Sequence, residues 1–139
     1  MRSLLQSLRL VTLTSLMVWT AACGTTTTLS NGTLKVGDAK ALGSGGLSLN
    51  GGSLDLATDT SVNAYNTTVG GNATILSDRA TSGAGITQTL GTLSIGANTL
   101  SIAAGSNVTS GVAGVTFGTV TQSGASTFDV ASGARLNLG

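Results

Sequence analysis

From Leu29 onward, aliphatic side chains fall on every second position with small polar residues between them. The pattern runs through Leu34-Lys-Val36, Leu47-Ser-Leu49, Leu54-Asp-Leu56, Leu93-Ser-Ile95, Leu100-Ser-Ile102, Val115-Thr-Phe117, Phe128-Asp-Val130 and Leu136-Asn-Leu138. A period of two predicts strands with one buried face. No window of helical length places apolar residues at i, i+3, i+4 and i+7, and the abundant Thr, Val and Gly disfavour helix. Helix is therefore expected to be absent beyond residue 23. Between the strands stand Ser30-Asn-Gly32, Gly43-Ser-Gly-Gly46, Asn50-Gly-Gly52, Gly70-Gly-Asn72 and Gly105-Ser-Asn107. These residues accept positive φ or bond their own backbone, so they are expected to form corners.

The strand pairs recur at a fixed interval. Leu47 and Leu54 are 7 residues apart, as are Leu93 and Leu100, and the two pairs lie 46 residues apart. Two coils of about 23 residues each fit this spacing, a period that marks solenoids. A sandwich or barrel is the competing all-β arrangement, with Asn50-Gly-Gly-Ser53 as a hairpin. Short strands, small residues repeated at the corners and aromatics at only 3% favour winding over a wide, aromatic-filled core.

Composition narrows the chemistry. Charged residues make up 8% of the 139, and there are 21 Gly and no Pro, which fits neither Pro-rich disorder nor collagen. The six cations (Arg2, Arg9, Lys35, Lys40, Arg79, Arg135) are scattered and the formal charge is +1, so no basic stripe exists to neutralise phosphates and nucleic acid is not an expected partner. Histidine is absent, all five acids are Asp and the single cysteine is Cys23. Neither a disulfide framework nor a Cys/His zinc site follows from that set, and no cofactor is expected.

The first 22 residues read as an export signal. Arg2 and Arg9 precede an apolar run from Leu10 to Trp19, followed by the small residues Ala21-Ala22. The run is shorter than the roughly 20 apolar residues a membrane-spanning helix needs, so no transmembrane helix is expected. Cys23, after Ala21-Ala22 and before Gly24, resembles the lipobox cysteine of bacterial lipoproteins, with Thr20 where that motif usually carries Leu. The expected organisation is a signal peptide over 1–22, with Cys23 as the residue lipoprotein-type processing would lipidate, and a repeat region over 23–139.

Within that region, residues 26–56 resemble the autotransporter-associated β-strand repeat. Gly32-Thr-Leu34, Ala41-Leu-Gly43 and the stretch Leu47-Ser-Leu-Asn-Gly-Gly-Ser-Leu-Asp-Leu56 follow its pattern in order, over about a quarter of the chain. The resemblance implies an all-β, right-handed parallel β-helix of passenger type, displayed extracellularly, at the cell surface or on the outer membrane, with no catalytic residue. The sequence runs to Leu136-Asn-Leu-Gly139 in mid-strand, without a C-terminal translocator or a polar cap. A partial, uncapped β-solenoid prone to end-to-end self-association is expected.

Candidate sites weigh little against this architecture. Asp55 and Asp59 form the best carboxylate pair, since β-helical polysaccharide lyases and hydrolases place Asp clusters on a sheet face. Asp55, between inward Leu54 and Leu56, is expected to face solvent, and Asp59 to lie in the Thr58-Asp-Thr60 turn. No His, Glu, Lys or Arg stands near them in sequence to set acid and base roles. Gly51-Gly-Ser-Leu-Asp55-Leu56 is similar to a calcium-binding nonapeptide repeat but has Leu54 where Gly is required. No Gly-x-Ser-x-Gly elbow occurs, and Gly43–Gly46 reads as a corner rather than a phosphate loop. Thr58/Thr60, Thr87/Thr89 and Thr119/Thr121 are spaced unevenly for an ice-binding ladder. Asn31, Asn66, Asn72 and Asn107 fit the glycan-acceptor rule, a match expected to be chance in the bacterial setting that the resemblance implies. No catalytic, cofactor or metal site is expected. The function expected is a non-enzymatic surface module making weak glycan or cell-surface contacts, against a polysaccharide-active enzyme or a fragment of a larger autotransporter-like protein.

Overall fold

The computed structural model describes residues 9–10, 16–17 and 24–139. The expected signal segment, apart from two dipeptides, and Cys23 lie outside the described residues. The described chain is an all-β parallel solenoid of about five turns, with no helix among the described residues.

Each turn contributes one strand to each of two long sheets. The first sheet stacks β1 (Arg9–Leu10), β3 (Thr27–Leu29), β5 (Leu47–Leu49), β7 (Thr67–Val69), β11 (Leu93–Ile95) and β15 (Val120–Gln122). The second stacks β2 (Leu16–Met17), β4 (Thr33–Val36), β6 (Ser53–Ala57), β8 (Ala73–Asp78), β12 (Thr99–Ala104) and β16 (Thr127–Val130). A third sheet of β10 (Thr87–Thr89), β14 (Ala113–Phe117) and β17 (Ala134–Leu138), with the short pair β9 (Gly83–Ala84) and β13 (Val108–Ser110), closes the later turns. Every pairing is parallel. β5 and β6 lie in different sheets, so Asn50–Ser53 is a corner and not a hairpin.

Register gathers the alternating aliphatics into columns. On the second sheet Leu34, Leu54, Ile75, Ile102 and Val130 stand in line, and the first four are 0% exposed. On the first, Leu29, Leu49, Val69 and Ile95 do the same, all buried. Burying each such side chain contributes roughly 1.5–3 kcal/mol, and strands of two to six residues suffice because each is flanked by its copies above and below. At the β5–β6 corner, Gly52 has φ +76°, and a Cβ there would lie 2.4 Å from the Gly32 carbonyl oxygen of the preceding turn. Only glycine lets successive corners nest at strand spacing.

The repeat is not uniform. The 46 residues from Leu47 to Leu93 do span two turns, but the register divides them into steps of 20 (Leu47 to Thr67) and 26 (Thr67 to Leu93). The longer step comes from the added strands β9 and β10, for which the 20-residue turns have only the loops 37–46 and 58–66. Ala41, Leu42, Val62 and Tyr65 from those loops fill the same side of the core.

Candidate functional site

With the aliphatics consumed by the core, the chemistry available to a partner lies on the outward faces. Outward positions of the first sheet form one file, Thr28, Ser48, Thr68, Ser94 and Thr121, set by the strand register. A second file, Thr26, Gly46, Asn66, Thr92 and Thr119, immediately precedes the strands. It is held by backbone bonds from Thr27 N to Gly46 O, Leu47 N to Asn66 O, Thr67 N to Thr92 O and Leu93 N to Thr119 O, each 2.8–2.9 Å. The two files repeat at the strand spacing of about 4.8 Å and carry no ionisable side chain. From Asn66 to Thr121 every member is exposed.

This array was hidden from pattern reading because the Thr pairs that stand out in sequence do not stack. Thr58 is buried in a loop, where its hydroxyl donates to Thr60 O at 2.6 Å. Thr87 and Thr89 flank inward Gln88 on the third sheet, and only Thr119/Thr121 belong to the files. The signal was present as Thr26-x-Thr28, Asn66-x-Thr68, Thr92-x-Ser94 and Thr119-x-Thr121, but it needs the register to be read.

The second sheet carries the charges. Lys35, Asp55, Leu76 and Ala103 occupy one outward column. Asp55 does not face open solvent as its position between two inward leucines suggests, because it is only 8% exposed. Outward side chains one strand apart cover each other's stems, and Lys35 and Leu76 flank Asp55 in the register on either side. Lys35 Nζ lies 3.4 Å from Asp55 Oδ2, while Oδ1 is buried with no hydrogen-bond partner. Burial pushes the Asp55 carboxyl up from the ordinary aspartate range, with Lys35 pulling it down and Asp78 adding to the rise.

Asp59 lies, as expected, in the bend after β6, where it is a staple. Oδ1 accepts from Arg79 Nε at 3.0 Å and Thr81 N at 3.2 Å, and Oδ2 accepts from the Thr81 hydroxyl at 2.8 Å. The bonds from Thr81, with Arg79 beside them, hold the carboxyl below its usual range. The two candidate carboxylates thus serve different contacts, Asp55 under Lys35 and Asp59 between successive turns. No group of three or more potential metal ligands occurs among the described residues.

The acceptor-rule asparagines act as corner braces. Asn31 Oδ1 accepts from Gly32 N, Asn66 Oδ1 from Thr92 N and Asn72 Oδ1 from Thr99 N, at 2.8–3.0 Å. Asn107 Nδ2 donates to Arg79 O at 2.7 Å. Gly43–Gly46 and Gly51–Gly52 are likewise corner and loop backbone.

A shallow cleft of about 260 Å³ opens between the segments 43–46 and 63–66, sharing Gly46 and Asn66 with the second file. Tyr65 forms part of its wall, its hydroxyl donating to Ala39 O at 2.9 Å and accepting from Leu42 N at 3.3 Å. Burial pushes its phenol up from the ordinary tyrosine range. No described helix is long and apolar enough to cross a membrane. Compared with protein-family models, curated proteins and solved structures, the chain has no significant match, and its resemblance to the autotransporter-associated repeat rests on the motif residues themselves.

Proposed function

We propose that the chain is a non-enzymatic, exported structural module of passenger type, a rigid rod whose outward polar files make adhesive contacts at the cell surface. The carrying observation is the pair of uncharged hydroxyl and amide files on the first sheet. A regular, neutral, stiff surface suits repeated weak contacts, whereas acid–base catalysis needs convergent ionisable groups reachable by substrate. The alternative reading, a β-helical lyase or hydrolase, would draw on Asp55, whose Oδ1 is buried away from substrate, or on Asp59, whose oxygens are already engaged by Arg79 and Thr81.

The test is expression of the full chain in a Gram-negative host, followed by treatment of intact cells with an external protease. Loss of the protein together with increased cell-to-surface attachment is the expected result. Retention in the cytoplasm would overturn the export part. Turnover of any neutral or acidic polysaccharide that disappears in Asp55→Asn or Asp59→Asn would overturn the non-enzymatic part.

A further inference from the structure

We propose that the cleft between segments 43–46 and 63–66, continued by the two files of the first sheet, is a binding track for a neutral polysaccharide chain. This rests on the reading of the module as a surface-contact protein and names both the place and the ligand class.

The cleft has the chemistry of a neutral polar site. Its walls offer the Ser44 hydroxyl, the amides of Asn63 and Asn66 and the glycine backbone of 43–46. The only titratable group is the Tyr65 phenol, whose ionisation burial opposes. A charged ligand entering here would lose water without gaining a counter-charge, and an apolar one would strand the amides. A polyhydroxyl ring supplies both donors and acceptors and satisfies either partner.

Size and placement add a second, independent argument. At about 260 Å³ the cleft falls below the roughly 300–1,000 Å³ of pockets that enclose drug-sized ligands, so it suits one ring rather than a whole oligomer. The remainder of a chain has somewhere to lie, because Asn66/Thr68, Thr92/Ser94 and Thr119/Thr121 run onward from the cleft as exposed, uncharged rungs. The Asn66 amide is held in place by Thr92 N at 3.0 Å, and the rungs are backbone-paired. Little backbone freedom therefore remains to be lost on binding. Glycine is required in the 43–46 wall, since a side chain at Gly45 would run into the Thr25 carbonyl.

The experiment measures retention of the full-length protein on microcrystalline cellulose and on chitin, with polygalacturonate as the anionic control and at low and high salt. Three variants accompany it. Ala64→Trp fills the cleft from an exposed position, and Thr68→Glu and Thr121→Glu charge the exposed rungs nearest to and farthest from the cleft. The expected result is salt-insensitive retention on at least one neutral polymer. Ala64→Trp and Thr68→Glu should reduce it at least tenfold and Thr121→Glu less, all with unchanged melting temperature. Retention on polygalacturonate alone, absence of retention on both neutral polymers, or equal retention by well-folded Ala64→Trp and Thr68→Glu would each overturn the inference. None of those outcomes touches the surface-module reading, which is tested separately by protease accessibility and attachment of intact cells and by polysaccharide turnover.

Discussion

The 20-residue turns and the wider turns after Thr67 solve the same closure problem with different materials. In the narrow turns the third side of the coil is a loop, and the core is sealed by apolar side chains dropped from it, namely Ala41, Leu42, Val62 and Tyr65. In the wider turns that side is a strand, and at the seam the first such strand, β10, has no strand above it among the described residues. Polar groups replace the missing strand. Gln88, 0% exposed, points inward, its Oε1 accepting from Val62 N at 3.0 Å and its Nε2 donating to Thr58 Oγ1 at 3.1 Å. Ser61 Oγ accepts from Thr89 N at 2.8 Å. A loop cannot match a strand's ladder, so the exposed donors and acceptors of the edge are satisfied one at a time by side chains.

The largest expected effect lies in the narrow turns. Leu54→Ala, in the middle of the Leu34–Leu54–Ile75 column, should cost about 2–5 kcal/mol in urea unfolding, because its neighbours are fixed in sheets and cannot collapse into the space. Gln88→Ala should cost on the order of 3 kcal/mol, with hydrogen exchange accelerated at residues 58–62 and 87–89 and little changed at β4 and β6. Uniform acceleration along the whole rod would show that the seam is not a separate closure and break the comparison.

The smallest effect sharpens the comparison by its sign. Burial raises the Asp55 carboxyl, so its folded value lies above its unfolded one. The stability tied to its protonated form is complete below the unfolded pKa of about 3.9 and is lost as pH rises through the folded value. Asp59 is lowered by the Thr81 bonds. Its contribution is present above the unfolded pKa and is lost as pH falls through the folded value. Asp55→Asn should therefore leave stability at neutral pH unchanged or slightly higher, whereas Asp59→Asn should lower it. Stability measured between pH 3 and 7 for wild type and each variant checks this. A loss at neutral pH on Asp55→Asn would mean that the Lys35 contact outweighs burial.

Much of the strand content was legible because alternation is a local property. Every Leu-x-Leu or equivalent triplet lies in a strand, and the glycine and asparagine clusters between them turn corners. β7, with Thr67 buried, and β10, with Gln88 buried, were not legible. β7 has one inward polar residue, Thr67, beside Val69, and the inward residue of β10 is Gln88. Each is tolerated inside because its polar group is bonded, Thr67 Oγ1 to Tyr65 O at 3.0 Å within its own corner and Gln88 across the seam to the preceding turn. The candidate track was hidden for a related reason. Its rungs lie 20 to 27 residues apart in sequence, and only the unequal turn lengths bring them into line.

By itself the sequence determined that this chain is wound from short strands with an aliphatic interior, and that ionisable chemistry is scarce, because period and composition act residue by residue. Tertiary structure decided where the third wall begins, that Asp55 is covered rather than free, and which hydroxyls share a face. Those depend on register, which is a relation between turns, and a single strand of three residues carries no information about which neighbour will lie 4.8 Å away.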